Sequence, residues 1–298
     1  MRRWARARVV GVMGGLGLWL SLSALAQDYE IRLHRPDKVG QKYRQSATGS
    51  EKLTLVVSLD GEVVERKSED MTVEFESEVT VLQVDKDGQA TKESHSVIKC
   101  EVVRNGAREA LLAPGLILTA TADDNETKFE AQGGRVAPEV AEALQLVISI
   151  EKDAGNDDDA IGTRERKKIG ESWHVNPEAV AQDLRRQKVE VTKQSVSGTV
   201  TLAGLVKVGG IDCLDVRGTM TLKDIRPPLE EGFRVDNSDA RITFSMKPPV
   251  DLTIGRIEEA MKMTLNLKAT GRVKGEEGEA TLVLTSEKSG VFRVTYPK

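Results

Sequence analysis

The chain has 298 residues, with 43 Lys and Arg against 47 Asp and Glu, for a formal net charge of −4. Hydrophobic residues make up 39% and aromatic residues 4%, so the core must be aliphatic, and sites that stack bases, sugars or flat cofactors are short of material. The acidic balance argues against nucleic acid or an anionic membrane surface as the main partner.

Residues 1–26 read as a secretory signal peptide. Arg2, Arg3, Arg6 and Arg8 form a basic start, Val9 to Leu22 is an apolar run, and Ala24-Leu25-Ala26 supplies the small-x-small pattern for cleavage between Ala26 and Gln27. Export to the periplasm or outside the cell is the consequence. Losing the four arginines leaves 39 basic against 47 acidic residues, net −8. No later stretch approaches the ~20 apolar residues of a membrane helix, so no transmembrane segment is expected in the mature chain.

Period-two alternation dominates the mature chain. Leu53, Leu55, Val57 and Leu59 share one side, and Asp60-Gly61 is a strong hairpin signal. Met71, Val73, Phe75, Val79 and Val81 continue an apolar face against Thr72, Glu74, Glu76, Glu78 and Thr80, as in a sheet with one wet side. Strands are expected around Ser94–Arg104, Leu116–Thr121 and Thr127–Ala131, with turns at Asp87-Gly88 and Asn105-Gly106. Pro138 opens a helix over 138–150, carried by Val140, Leu144, Val147 and Ile148. Residues 153–168 have almost no apolar content and read as a mobile charged linker between a β-rich half at 27–152 and another at 169–298. Asn176-Pro177 starts a short helix over 177–186. Further strands are expected at Val189–Val191, Thr199–Val208, Ile211–Leu222, Arg241–Met246, Ala260–Val273, Ala280–Thr285 and Val291–Tyr296, with a turn at Ser289-Gly290. Two short stretches echo one another: Val39-Gly40-Gln41-Lys42-Tyr43 with Ile169-Gly170-Glu171-Ser172-Trp173, and Val79-Thr80-Val81 with Val200-Thr201-Leu202.

No catalytic or metal-binding constellation emerges. His34, His95 and His174 lack ligand spacing. Asp153–Asp159 resembles a calcium loop but has Asp158 where the turn glycine belongs and Arg164 in place of the bidentate Glu. Ser96-Val97-Ile98-Lys99 matches S-x-x-K, yet in a strand positions i and i+3 face opposite ways. No cofactor is implied. Cys100 and Cys213 are the only cysteines, readable either as a disulfide of an exported protein or as two buried small hydrophobes.

The β-rich pattern, the Gly170-Glu171-Ser172-Trp173 step and Pro248-Pro249-Val250-Asp251 together resemble exported β-rich bacterial proteins and, more distantly, periplasmic lipoprotein-carrier half-barrels. That resemblance implies a curved sheet around helices with an apolar cavity, and carries over no site residue. The expected fold is mainly β: long antiparallel strands in a curved open barrel or two packed sheets, with two short helices. Two function classes are compatible with it. One is a non-catalytic envelope carrier for an apolar or lipid-like ligand; the other is an envelope scaffold or interaction module with no small ligand. Candidate cavity walls are Leu53, Leu55, Val57, Val73, Phe75, Met261, Met263 and Leu265.

Overall fold

The computed structural model describes residues 27–123, 126–150, 155–229, 232–272 and 278–297; the expected signal peptide lies outside them. β1 (Lys42–Leu59) and β2 (Glu62–Val84) form a long hairpin. Asp60 and Gly61 close it at φ 48° and 90°, the left-handed pair that a tight type I′ turn requires. β3 (Ala90–Arg104) returns along β2, and Asn105-Gly106 makes the same kind of turn into β4 (Ala107–Ala110). β5 (Ile117–Asp123), β6 (Glu126–Ala131), β7 (Gly134–Arg135) and helix α1 (Pro138–Leu144) come next. Then come α2 (Asp157–Ala160), β8 (Ser172–His174) and α3 (Pro177–Arg186). The chain ends in a meander of β9 (Val196–Val208), β10 (Ile211–Lys223), β11 (Phe233–Met246), β12 (Glu258–Gly271) and β13 (Ala280–Thr295).

Among the described residues all 13 strands belong to one antiparallel sheet, in the order β7-β6-β5-β3-β2-β1-β13-β12-β11-β10-β9-β8 with β4 beside β3. The sheet is open and mainly β as expected, and the alternative of two packed sheets is set aside. Its seam is β1 against β13, paired from Arg44–Thr295 to Leu59–Ala280. Ser289-Gly290, expected as a turn, stays within the ladder opposite Ser50 and Gly49. Val189–Val191 forms no strand; only Glu190 bridges to Arg226.

The sequence echo is a structural repeat. Gly40 and Gly170 sit at φ 83° and 90°. The N–H of Gly40 donates to the Val81 carbonyl and that of Val81 to Gln41; Gly170 donates to Leu202 and Leu202 to Glu171 in the same pattern. The preceding turns match too, with Gln41 N–H bonded to Lys38 and Glu171 N–H to Lys168, while each Lys N–H is held by the Gln41 or Glu171 side chain. Tyr43 then pairs with Val79 and Trp173 with Val200. Each unit starts with this turn and builds its meander in the same direction along the sheet, so β13 of the second unit closes onto β1 of the first.

One face of the sheet carries two filled cores. Under α1, Val73, Phe75, Cys100, Val102, Leu118 and Phe129 pack against Ala143, Leu144, Val147, Ile148 and Ile150. Under α3 and the N-terminal segment, Val200, Leu202, Leu214 and Val216 pack against Tyr29, Ile31, Leu33, Trp173, Val180 and Ala181. Each fully buried side chain of this size contributes about 1.5–3 kcal/mol. The helix expected over 138–150 stops at Leu144. The turns after it lower the Leu146 carbonyl onto Gly49, where an added Cβ would lie 2.2 Å from that oxygen. Gln45, buried two positions before Ala47, donates to the Val147 carbonyl at 3.1 Å and completes the dock.

The charged stretch expected as a linker is bonded into the second unit from Gly155 onward. Asn156 caps α2, a third helix beyond the two expected. Asp158 accepts the Leu33 N–H at 2.7 Å, Ile161 accepts the Trp173 indole N–H at 2.9 Å, and Lys167 bridges Tyr29. Ala160 and Ile161 supply the apolar contact that composition hid. Cys100 and Cys213 are both free and buried. They stand on β3 and β10, with β2, β1, β13, β12 and β11 between them in the sheet, so of the two readings the disulfide gives way to that of two small hydrophobes.

Candidate ligand-binding face

Between the two cores, the strands β1, β13 and β12 present a strip of the same face. Paired residues in an antiparallel ladder project to one side. One row is Leu53–Ser286–Leu265, the next Leu55–Leu284–Leu267, and the third Val57–Leu282–Ala269. Leu53, Leu55, Val57, Leu282 and Leu284 belong to neither core cluster and are all half-buried, while their row partners Leu267 and Ala269 on β12 are buried. Leu265 touches the α3-side core at its margin. Met263 lies one row higher and Met261, 50% exposed, another row beyond, opposite Gly290. Above the aliphatic rows runs a polar belt: Lys288 pairs with Glu51 at 3.1 Å, and Ser286 donates to Glu51 at 3.3 Å.

Six of the eight sequence candidates therefore share this strip. Val73 and Phe75 do not. At 0% and 2% exposure they fill the core beneath α1, which corrects their assignment as an open wall. Alternation identifies the face but cannot say where a helix will sit on it.

The opposite end of the same face is polar. Tyr43 donates to Glu93 at 2.7 Å, and His95 Nε2 stands 3.3 Å from the other Glu93 oxygen, an ion-pair distance without an aligned hydrogen bond. His95 Nδ1 meets the Ser77 hydroxyl at 3.2 Å. Burial alone would raise the Glu93 pKa; His95, the Tyr43 hydroxyl and Arg256 overcome it and hold the carboxyl below the usual range. Ser77, His95 and Glu93 form a serine–histidine–carboxylate line, but Ser77 and His95 are fully buried, so the hydroxyl offers no approach to a substrate. The network satisfies polar groups inside a β core.

Arg256, from the β11–β12 connection, lies over the Phe292 ring at 5.7 Å and 3.9 Å from Glu259. Burial opposes its charge, but Glu259, Asp37, Tyr43 and Glu93 hold its pKa above the ordinary value. Burial raises Asp37. Burial and the Glu259 charge push Asp157 up to about 6, although its side chain still meets solvent. Burial pushes the Tyr296 hydroxyl up to about 12. Acidic groups thus gather around one arginine. Among the described residues no three His, Cys, Asp or Glu side chains converge as a metal-ligand set. Nor is any described helix long and apolar enough to cross a membrane.

No protein-family model matches the chain, and no curated protein matches it. Among solved structures, a lipovitellin structure concerned with lipid–protein interactions aligns with 88% of this chain and 26% of its own length, at 9% identity and a TM-score of 0.34. The chain thus spans about a quarter of that protein. DynF from the dynemicin biosynthesis pathway of Micromonospora chersina aligns over 91% of this chain and 90% of its own, at 7% identity and a TM-score of 0.19. OpdQ of Pseudomonas aeruginosa aligns over 85% and 97%, at 6% identity and a TM-score of 0.22. Likenesses of this grade bear on neither ligand nor activity.

Proposed function

We propose that the protein is an exported, non-catalytic carrier of the cell envelope that holds an aliphatic chain against the strip between its two cores. The observation that carries this reading is the strip itself: Leu53, Leu55, Val57, Leu282 and Leu284, neighbours in the ladder on the face both cores use, belong to neither core, and only Leu265 at the edge touches the α3 side. A flexible acyl chain suits it better than a flat ligand, since its walls are Leu, Val and Met and stacking partners are absent from its rows.

Delipidated protein titrated with a fluorescent fatty-acid probe tests the proposal. Saturable binding is expected, weakened at least tenfold by Val57→Asp or Leu265→Asp in variants that keep their circular dichroism. Val283→Asp is the control: Val283 is 42% exposed and pairs with Val56, whose register places both on the opposite face. Equal loss in all three variants, or no saturable binding, would overturn the carrier reading and leave an envelope scaffold without a small ligand.

A further inference from the structure

The open part of the aliphatic strip is bounded on both flanks. On β2, the partners of Leu53, Leu55 and Val57 are Glu69, Lys67 and Glu65, a charged column on the same face. On β12, Leu267 and Ala269 are 4% and 0% exposed, already covered by the protein itself. The accessible aliphatic floor is therefore two strands wide, with Leu53, Leu55 and Val57 beside Leu282 and Leu284. Neighbouring strands lie about 5 Å apart, which gives one hydrocarbon chain a groove and leaves no place for a second. From Leu53 to Leu59 the floor runs about 20 Å. That accommodates one membrane-type acyl chain, two of which end to end span a hydrocarbon core of about 30 Å.

The inner end of the floor is closed and charged. The turn after α1 sets the Leu146 carbonyl on Gly49, so a chain on β1 cannot pass the Gly49–Gly290 row. The row in front of it is Glu51–Lys288. Glu51 takes Lys288 at 3.1 Å and the Ser286 hydroxyl at 3.3 Å. Neither charged side chain is sealed, at 19% and 43% exposure. A lone carboxylate head would bring a second negative charge to Glu51, and a lone cation a second positive charge to Lys288. A head that carries both signs matches both. Phosphate on Lys288 and a primary ammonium on Glu51 form two charge-assisted hydrogen bonds.

We propose that the ligand of the strip is a one-chain amphiphile with a zwitterionic head, its phosphate on Lys288, its ammonium on Glu51 and its tail along Leu53–Leu59. This inference rests on the carrier reading and adds the head group and the number of chains to it. Displacement of the fluorescent fatty-acid probe tests it, with palmitoyl lysophosphatidylethanolamine and palmitoyl lysophosphatidylglycerol as competitors. The two share chain and phosphate and differ in the amine. The first should displace the probe at about fivefold lower concentration, the worth of one partly exposed charge pair. Glu51→Gln should bring the ratio close to one, whereas a preference set by the overall negative charge of the protein would survive it. Lys288→Gln should weaken both competitors alike. After incubation with mixed micelles of lysophosphatidylethanolamine and its two-chain counterpart, the adduct seen by native mass spectrometry should have the one-chain mass. A probe that does not bind saturably would overturn the carrier reading and this inference with it. Equal displacement by both competitors, a preference unchanged in Glu51→Gln, undiminished displacement in Lys288→Gln or a two-chain adduct would each leave the carrier standing and overturn the assignment of its ligand.

Discussion

Gly49 and Gly290 face one another across the β1–β13 seam, on the same side of the sheet, and predict opposite outcomes for the same substitution. An alanine Cβ at Gly49 would sit 2.2 Å from the Leu146 carbonyl oxygen and 2.8 Å from its carbon. Those are backbone atoms, so the turn after α1 must move by about 1 Å to restore an ordinary contact, a shift of the overpacking kind that costs about 1–3 kcal/mol. If the turn lifts, the Gln45–Val147 bond is strained as well, at about 1 kcal/mol. The gain from replacing a strand glycine, about 0.5–1 kcal/mol, offsets only part of this. At Gly290 the nearest atom to an added Cβ is 3.9 Å away, so that gain remains uncancelled. Gly49→Ala should therefore lose about 1–3 kcal/mol in urea unfolding, with faster amide exchange at 146–148, while Gly290→Ala should be neutral or up to about 1 kcal/mol more stable. Equal losses in the two variants would show that α1 does not dock on β1 through Gly49. Gly290 also lies beside the strip, opposite Met261, so Gly290→Leu should reduce acyl-probe binding without unfolding the protein.

Asp157→Asn should raise stability above pH 6. Its carboxyl titrates at about 6 in the fold against 3.8 in the free chain, so the native state binds the proton more tightly. Stability therefore falls as pH rises from about 4 to 6 and stays lowered above. Contact with solvent trims the effect to about 1 kcal/mol or less, and urea midpoints at pH 4 and 7.5 would read the loss of slope. Glu93→Gln should do the reverse. The wild-type carboxyl is held low, so it stabilises at neutral pH and loses that contribution as pH falls below the ordinary glutamate range; the variant should be weaker at pH 7 and lose less on acidification. Both thiols should resist iodoacetamide in the native protein and react in urea without prior reduction. Cys100 is pushed up to about 12 by burial and Cys213 is likewise raised. Alkylation that needs a reductant would restore the bridge.

Much of this architecture was legible where periodicity is sharp. The apolar rows of β2 and the turn at Asp60-Gly61 emerge from spacing and turn chemistry alone. Other elements were hidden for identifiable reasons. α2 reads as solvated loop because Asp157-Asp158-Asp159 carries no apolar residue; its anchors are a cap by Asn156 and the distant Leu33 N–H. β13 passes through Ser289-Gly290 because both neighbouring strands pair with it there, and long-range pairing outweighs local turn preference. The buried polar network had a signal that went unused. Gln45, Ser77, Glu93 and His95 each occupy an inward position of an otherwise apolar alternation, where a polar side chain must find a partner inside the protein.

The repeat explains why the face between the cores is open. Each unit begins with the same Lys-Val/Ile-Gly-Gln/Glu turn, pairs its first strand with its second, and carries its own cover: α1 and its exit turn on the first, α3 with the N-terminal segment on the second. A cover made within one unit is centred on that unit's own strands. The strands at the junction, β1 from one unit and β13 and β12 from the other, lie at the margin of both covers. Polar residues would be cheap at such a position if solvent were its only neighbour. The strip instead keeps Leu53, Leu55, Val57, Leu282 and Leu284 on the inward face, while their alternates Thr54, Val56, Thr281, Val283 and Thr285 face away. A solvated face carries aliphatic residues in consecutive rows on three strands at a cost in solubility, and removing that surface from water is the gain a bound acyl chain supplies.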